Sequence, residues 1–395
     1  MNNPPLWTRN YISVCISNFS LFLTFYFLLV TLPVYAMKHL DFEAAQVGLI
    51  VTVFLIAAIL IRPFAGIWIE RFGNKLVLLF SLGIFSAATA GYFFTDTIMI
   101  MLILRFFHGL GFGIATTAVG TIVANVIPAS RRGEGMGYYA MGMNLAMVIG
   151  PFVGLTALQQ WSPSIMFSIA LACSLSSFVI ALFIKFPKAD SKPRQKQAFR
   201  FGNLFEPSAL KIAIVGGYFA LVYSSIISFI SVYAEAIGLV EAASYFFMVF
   251  AIVLLLSRPF TGRWFDKYGA NVIINPSIIL FAIGMLVLSQ AENAVVFLLA
   301  AAFIGLGWGT LFPSFQTIAI SDAPPQRRGL ATATFLSVFD FGIGLGSFLV
   351  GLAAEAAGFR SLYFYSSILV IAGLPLYYFL YQRNPSKRWA HEGLQ

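Results

Sequence analysis

From Tyr11 to Tyr35 the chain runs without one Asp, Glu, Lys, Arg or His, and long apolar stretches recur along its length. A bilayer's hydrocarbon core, about 30 Å thick, takes roughly 20 helical residues to cross. Backbone groups in lipid must find hydrogen bonds within the segment, so such runs fold as helices rather than open strands. The pattern predicts spans over 11–36, 45–69, 75–95, 98–127, 133–158 and 163–185, and again over 209–235, 243–265, 271–290, 294–321, 330–356 and 361–382. The fold class is therefore all-α: a polytopic membrane protein of twelve transmembrane helices. The first run is too long for a signal-peptide core and lacks a small-residue cleavage site, so it reads as a retained helix.

Composition agrees. Hydrophobic residues make up 59% of the chain and charged ones 10%, against about a quarter charged in a soluble domain. Too few polar side chains exist to cover a water-exposed surface. Cys15 and Cys173 both sit in apolar runs, away from any metal-ligand spacing.

The net charge of +9 would raise nucleic acid as a partner if the cations were clustered on a soluble face. They are not. With both termini placed in the cytoplasm, Lys38 and Arg360 fall outside, Arg105 falls within a span, and every other Lys and Arg falls on the cytoplasmic side or toward the cytoplasmic end of a span. That asymmetry is the positive-inside pattern. It accounts for the basic balance with no nucleic acid involved. The stretch carrying Lys188, Lys192, Arg194, Lys196 and Arg200 reads as a solvated linker, with anionic lipid as the alternative.

An internal repeat constrains the architecture further. Shifting the chain by 196 residues lays Arg62-Pro63-Phe64-Ala65-Gly66-Ile67-Trp68-Ile69-Glu70-Arg71-Phe72-Gly73 on Arg258-Pro259-Phe260-Thr261-Gly262-Arg263-Trp264-Phe265-Asp266-Lys267-Tyr268-Gly269. The same shift pairs Gly109, Gly111 and Gly113 with Gly305, Gly307 and Gly309, Arg131-Arg132-Gly133 with Arg327-Arg328-Gly329, and Gly150 with Gly346. Spanning six helices, the repeat gives both copies the same orientation, as in parallel-repeat transporters related by an axis along the membrane normal. The expected domains are a six-helix bundle over 1–185, a cytoplasmic linker over 186–208 and a second six-helix bundle over 209–395.

These residues support a family resemblance over essentially the whole length. Gly66-Ile67-Trp68-Ile69-Glu70-Arg71-Phe72-Gly73-Asn74-Lys75 resembles the loop 2–3 signature of the major facilitator superfamily, with a weaker copy from Gly262 to Gly269. Arg105-Phe106-Phe107-His108-Gly109-Leu110-Gly111 resembles its helix-4 motif. Gly142, Gly150, Pro151 and Gly154 resemble the helix-5 motif of its drug:proton antiporter branch. Glu70 stands where the family usually has Asp, Asn74 replaces a common Arg, and helix 1 carries no acidic residue. The resemblance implies two pseudo-twofold bundles and alternating access. It also implies a secondary active transporter, not an enzyme, that exports a small amphipathic or drug-like solute across the cell membrane by proton antiport. An uptake symporter for a small polar metabolite is the alternative on the same scaffold. A non-transporting receptor or lipid-processing protein is the alternative from another class.

Several positions are candidates for that work. In the family arrangement Glu70, with Gly66, Arg71 and Gly73, would latch onto the positive end of helix 11 near Gly329. Asp266 would do the same near Gly133; otherwise these charges mark the membrane boundary. Asp340 lies about ten residues into helix 11, near 15 Å deep at 1.5 Å per residue. A carboxyl there costs about 2.5–3.5 kcal/mol to insert, and low dielectric favours its taking up a proton. Its repeat mate is Asn144, so the halves differ where a proton carrier is expected. Asp340 is therefore the candidate proton-coupling or substrate-cation site, with a structural, hydrogen-bonded acid as the alternative. Arg105 either serves proton coupling, as the resemblance implies, or snorkels to the outer face. His108 reads as a packed residue rather than a titrating one.

Gly142, Gly150, Pro151 and Gly154 let helix 5 press on a neighbour and bend. The substrate cavity is expected from Asn18, Phe22, Tyr26, Met141, Asn144, Tyr223, Phe312, Gln316 and Phe339, since aromatic and Met surfaces suit amphipathic ligands. The Gly-Leu-Gly-Phe-Gly and Gly-Leu-Gly-Trp-Gly runs follow no strand and bring no Walker lysine, so they read as packing surfaces. No cofactor or metal is implied. The expected partners are a small-molecule substrate, protons and the lipid bilayer, around a monomer.

Overall fold

The computed structural model describes residues 4–40, 44–185 and 204–383. Most of the linker expected over 186–208, including all five of its named cations, lies outside the described residues. All regular structure among the described residues is helical, with no strand. Among the described residues, twelve helices are long and apolar enough to cross a membrane.

The helices are α1 (Arg9–His39), α2 (Ala44–Phe72), α3 (Asn74–Gly91), α4 (Ile98–Val126), α5 (Arg132–Gln160), α6 (Pro163–Leu182), α7 (Pro207–Ala236), α8 (Val240–Tyr268), α9 (Ala270–Ser289) and α10 (Ala294–Ser321). The last two, α11 (Pro325–Ala354) and α12 (Ala357–Gln382), form a nearly continuous helical run broken at Gly358, whose φ is 74°. A four-residue connection is expected from the sequence there. Instead the helical conformation is interrupted at a single residue, Gly358, in the left-handed region, which glycine adopts without steric cost.

The repeat is visible in how elements begin. Thr97 caps α4 by accepting from the Ile100 N–H, and Asn293, its mate at the same 196-residue shift, caps α10 by accepting from the Val296 N–H. Gly73 (φ 85°) and Gly269 (φ 88°) open α3 and α9 in the same unusual backbone conformation. Each therefore lets one helix follow another with almost no loop.

Packing divides the described chain into two compact units. The first holds α1–α4, α5 from Tyr139, α6 and Pro325–Ala333. The second holds Ala129–Tyr138, α7–α10, α11 from Thr334 and α12. The first nine residues of α11 thus pack with the first unit and the start of α5 with the second.

Within the first unit α4 packs on α2 and α3; within the second α10 packs on α8 and α9. Close approach is required there: a Cβ built on Gly111 would lie 2.8 Å from the Phe85 nitrogen, and one on its mate Gly307 would strike Phe281 and Ser277. With lipid as solvent, such small-residue contacts replace water-driven burial as the source of helix association.

Candidate functional site

The second unit carries a charged cluster where α8 ends and α5 begins. The Gly133 N–H donates to Asp266 Oδ1 at 2.6 Å and the Glu134 N–H donates to Oδ2 at 2.9 Å. These amides belong to the first turn of α5, which has no intrahelical acceptors for them, so the Asp266 carboxylate satisfies them and meets the helix's positive end. Glu134, itself buried, accepts from Arg131 at 2.7 Å and from Arg263 at 3.1 Å. Gly262 lets α8 come this close, since a Cβ there would lie 2.6 Å from Glu134 Cα.

The first unit repeats the backbone of this junction and keeps Glu70 and Arg327 at the repeat mates of Asp266 and Arg131. A Cβ on Gly66 would lie 2.9 Å from Leu330 Cα, and one on Gly329 would lie 2.9 Å from Ile69 Cγ2. Leu330 is the repeat mate of Glu134, and Ile67 that of Arg263. Glu70 is half-buried at the end of α2, Arg71 is exposed beside the Phe72 ring, and Gly73 opens α3. The second arginine of each Arg-Arg-Gly run is matched too: Arg328 donates to Asn125 Oδ1 at 2.8 Å and Arg132 to Ser321 Oγ at 3.2 Å.

Deeper in the first unit, the glycines of α5 face α1. A Cβ on Gly142 would rest 3.6 Å from Phe19 Cβ, on Gly150 2.9 Å from Tyr26 Cβ, and on Gly154 2.7 Å from Thr31 Cγ2. Pro151 is half-buried within the same helix. Asn18 is buried and its Oδ1 accepts from the Tyr139 hydroxyl at 3.0 Å. Phe22 stands edge-on to Phe112 at 5.3 Å and lies against Tyr26. Met141 and Asn144 are half-buried, and the Asn144 amide donates back to the Ala140 carbonyl of its own helix.

Arg105 is 1% exposed, so it points into the unit rather than snorkelling to a face. Its Nε donates to the Ile50 carbonyl at 2.9 Å, its guanidinium lies 4.4 Å from the Phe54 ring centroid, and Nη1 reaches His108 Nδ1 at 3.4 Å.

In the second unit Tyr223 stacks on Trp308 with centroids 4.1 Å apart. Phe339 also lies nearly parallel to Trp308, with centroids 5.9 Å apart, and Phe312 meets Phe339 edge-on at 4.7 Å. Gln316 is buried one turn along α10 from Phe312, and its Oε1 has no partner among the described residues. Asp340 follows Phe339 on α11 and is half-buried.

Trp308, Phe112, Tyr139, Glu134 and the buried Arg62 and Arg258 were not singled out from sequence. The repeat held the signal for several of them. It pairs Phe54, Phe85 and Phe112 with Phe250, Phe281 and Trp308; the first trio clusters around Phe112, and in the second Phe281 meets Trp308 while Tyr223 bridges Trp308 and Phe250. It also pairs Arg62, which donates to Thr116 Oγ1 at 2.8 Å, with Arg258, which donates to the Gly309 carbonyl.

Twelve apolar spans, a duplicated register and buried polar groups within the spans define a polytopic membrane protein of the transporter class. The profile of the Major Facilitator Superfamily matches residues 14–347, and the chain belongs to that family. It is 24% identical over 379 residues to an uncharacterized MFS-type transporter of Methanocaldococcus jannaschii, covering 93% of this chain and 97% of that one. It is 23% identical over 340 residues to the staphylopine export protein of Staphylococcus aureus, covering 82% and 84%. Among solved structures, the human organic anion transporter MFSD10 superposes with a TM-score of 0.83 at 16% identity, covering 95% of this chain and 100% of that one. That last likeness concerns the fold.

Proposed function

We propose that this transporter exports a small amphipathic solute across the cell membrane in exchange for protons, by alternating access, as a monomer with cytoplasmic termini. The observation that carries the reading is an acidic residue within a span, next in sequence to one ring of an aromatic cluster. Asp340 follows Phe339, whose ring packs on Trp308 and Phe312. An ionisable group within a span is costly and marks ion or substrate pathways. Stacked aromatic rings offer a surface to an amphipathic ligand without demanding one shape. The Gly-Pro series of α5 and the relative named for staphylopine export both favour outward movement.

In the same reading Asp266 on the first turn of α5, and Glu70 near α11, hold the cytoplasmic side closed until substrate and proton exchange. Gly142, Gly150, Pro151 and Gly154 allow α5 to slide and bend against α1.

Everted vesicles acidified by respiration test this. Adding the substrate of an antiporter should alkalinise the lumen as protons leave, and Asp340→Asn should abolish that response while substrate binding persists. Full substrate-driven alkalinisation in Asp340→Asn overturns the residue's role. No alkalinisation in the unaltered protein with a substrate that it demonstrably transports overturns antiport and favours the symport alternative.

A further inference from the structure

His108 is completely buried one turn after Arg105 on α4, and the donors around it determine its protonation. Arginine has only donors and is always charged. Its Nη1 lies 3.4 Å from His108 Nδ1, so Nδ1 must accept. The Tyr92 hydroxyl reaches the same nitrogen at 3.2 Å and can donate to it. On the other side of the ring, Nε2 lies 3.3 Å from Thr89 Oγ1. The Thr89 hydroxyl already donates its one proton to the Phe85 carbonyl at 2.8 Å, which leaves its oxygen as an acceptor. Nε2 must therefore carry the hydrogen. Each neighbour's donor inventory points to the same tautomer.

Protonating Nδ1 would set N–H against guanidinium N–H and place two cations within one hydrogen-bond length. Arg105 and Tyr92 are the titratable groups bonded to the ring, and no carboxylate among the described residues bonds to it to offset a second charge. The ring is also clamped sterically, with Phe85 at 4.2 Å between centroids and Phe54 at 5.3 Å.

We propose that His108 is a permanently neutral Nε2–H imidazole that positions Arg105, and not a proton carrier. It supplies an acceptor on one side of the guanidinium while the Ile50 carbonyl supplies another and the Phe54 ring a third contact. Arg105 Nη2 has no partner among the described residues, so this acceptor fixes which face of the guanidinium stays available. That Arg105 serves proton coupling rests on the function proposed above; the tautomer does not.

The test has two arms. In detergent-purified, 15N-histidine-labelled full-length protein, the His108 signals are identified by subtracting the spectrum of His108→Gln. They should show an unprotonated Nδ1 and a protonated Nε2 unchanged from about pH 5 to about pH 8, the range over which a free imidazole titrates. An imidazolium signal, or the Nδ1–H tautomer, overturns the assignment whatever the protein transports. In vesicles, His108→Gln should keep proton-linked transport and its pH profile, because a Gln side chain can accept from Arg105 and donate to Thr89. His108→Leu should lose about tenfold through the stranded arginine donor, with folding checked by monodispersity. A loss in His108→Gln as deep as in His108→Leu, or full activity in a folded His108→Leu, overturns the positioning role. If the unaltered protein moves no protons, the functional reading fails while the spectroscopic arm still decides the tautomer.

Discussion

Asp266, at the end of α8, caps a helix to which it does not belong: its carboxylate takes the Gly133 N–H at 2.6 Å and the Glu134 N–H at 2.9 Å. Hydrogen bonds to an ionised group contribute about 1.5–3 kcal/mol. Asp266→Ala should therefore speed amide exchange in the first turn of α5 by about 10- to 100-fold, read by hydrogen exchange and mass spectrometry. Asp266→Asn, which keeps one oxygen acceptor, should show a smaller change. Unaltered protection at Gly133 and Glu134 in the Ala variant would mean the cap contributes nothing to holding the helix end.

Gly262→Ala and Gly66→Ala test the two junctions sterically. Their added Cβ atoms would meet backbone, Glu134 Cα at 2.6 Å and Leu330 Cα at 2.9 Å. Overpacking against backbone costs about 1–3 kcal/mol. Both variants should lower the melting temperature, Gly262→Ala by more. The reverse order would contradict the closer approach at the charged junction.

The three-residue ion cluster should be unequal in its parts. Arg263 is 64% exposed while Glu134 is 4% exposed, so water screens the Arg263 pair and Arg263→Ala should cost less than about 1 kcal/mol. Arg131→Ala should cost more, its side chain being 19% exposed and 2.7 Å from Glu134. Denaturation midpoints of the two variants give the comparison, and equal losses would refute the role assigned to burial.

Trp308 is 5% exposed within its aromatic stack. Trp308→Ala should destabilise the second unit by about 3–5 kcal/mol. Trp308→Phe restores the residue type found at its repeat mate, Phe112, and should lose well under half of that. Thermal unfolding followed by size-exclusion chromatography separates the outcomes.

Much of this fold is legible from the chain because lipid leaves few choices. Long uncharged runs must be helices, and a 196-residue register places their starts, down to matched caps at Thr97 and Asn293. The Asp266–Gly133 contact was foreseeable only through the family resemblance, since nothing in spacing tells which distant helix end an acid will meet. The aromatic clusters were harder. With 42 Phe in the chain, composition cannot separate a ring that packs inward from one that faces lipid, and Phe22 was singled out where Phe112 and Trp308 were not. Glu134, read linearly, is one more charge at a membrane boundary. Its importance comes from α8, 129 residues away.

Gly358 has a mechanical consequence. Two spans joined by one non-helical residue share only that residue's pair of soft torsions, so there is no slack tether between them. Any change in the angle between α11 and α12 must be taken up at or beside Gly358, which makes that residue a hinge of fixed position rather than one point in a loose loop. A displacement of α11 reaches α12 along the chain only through that hinge.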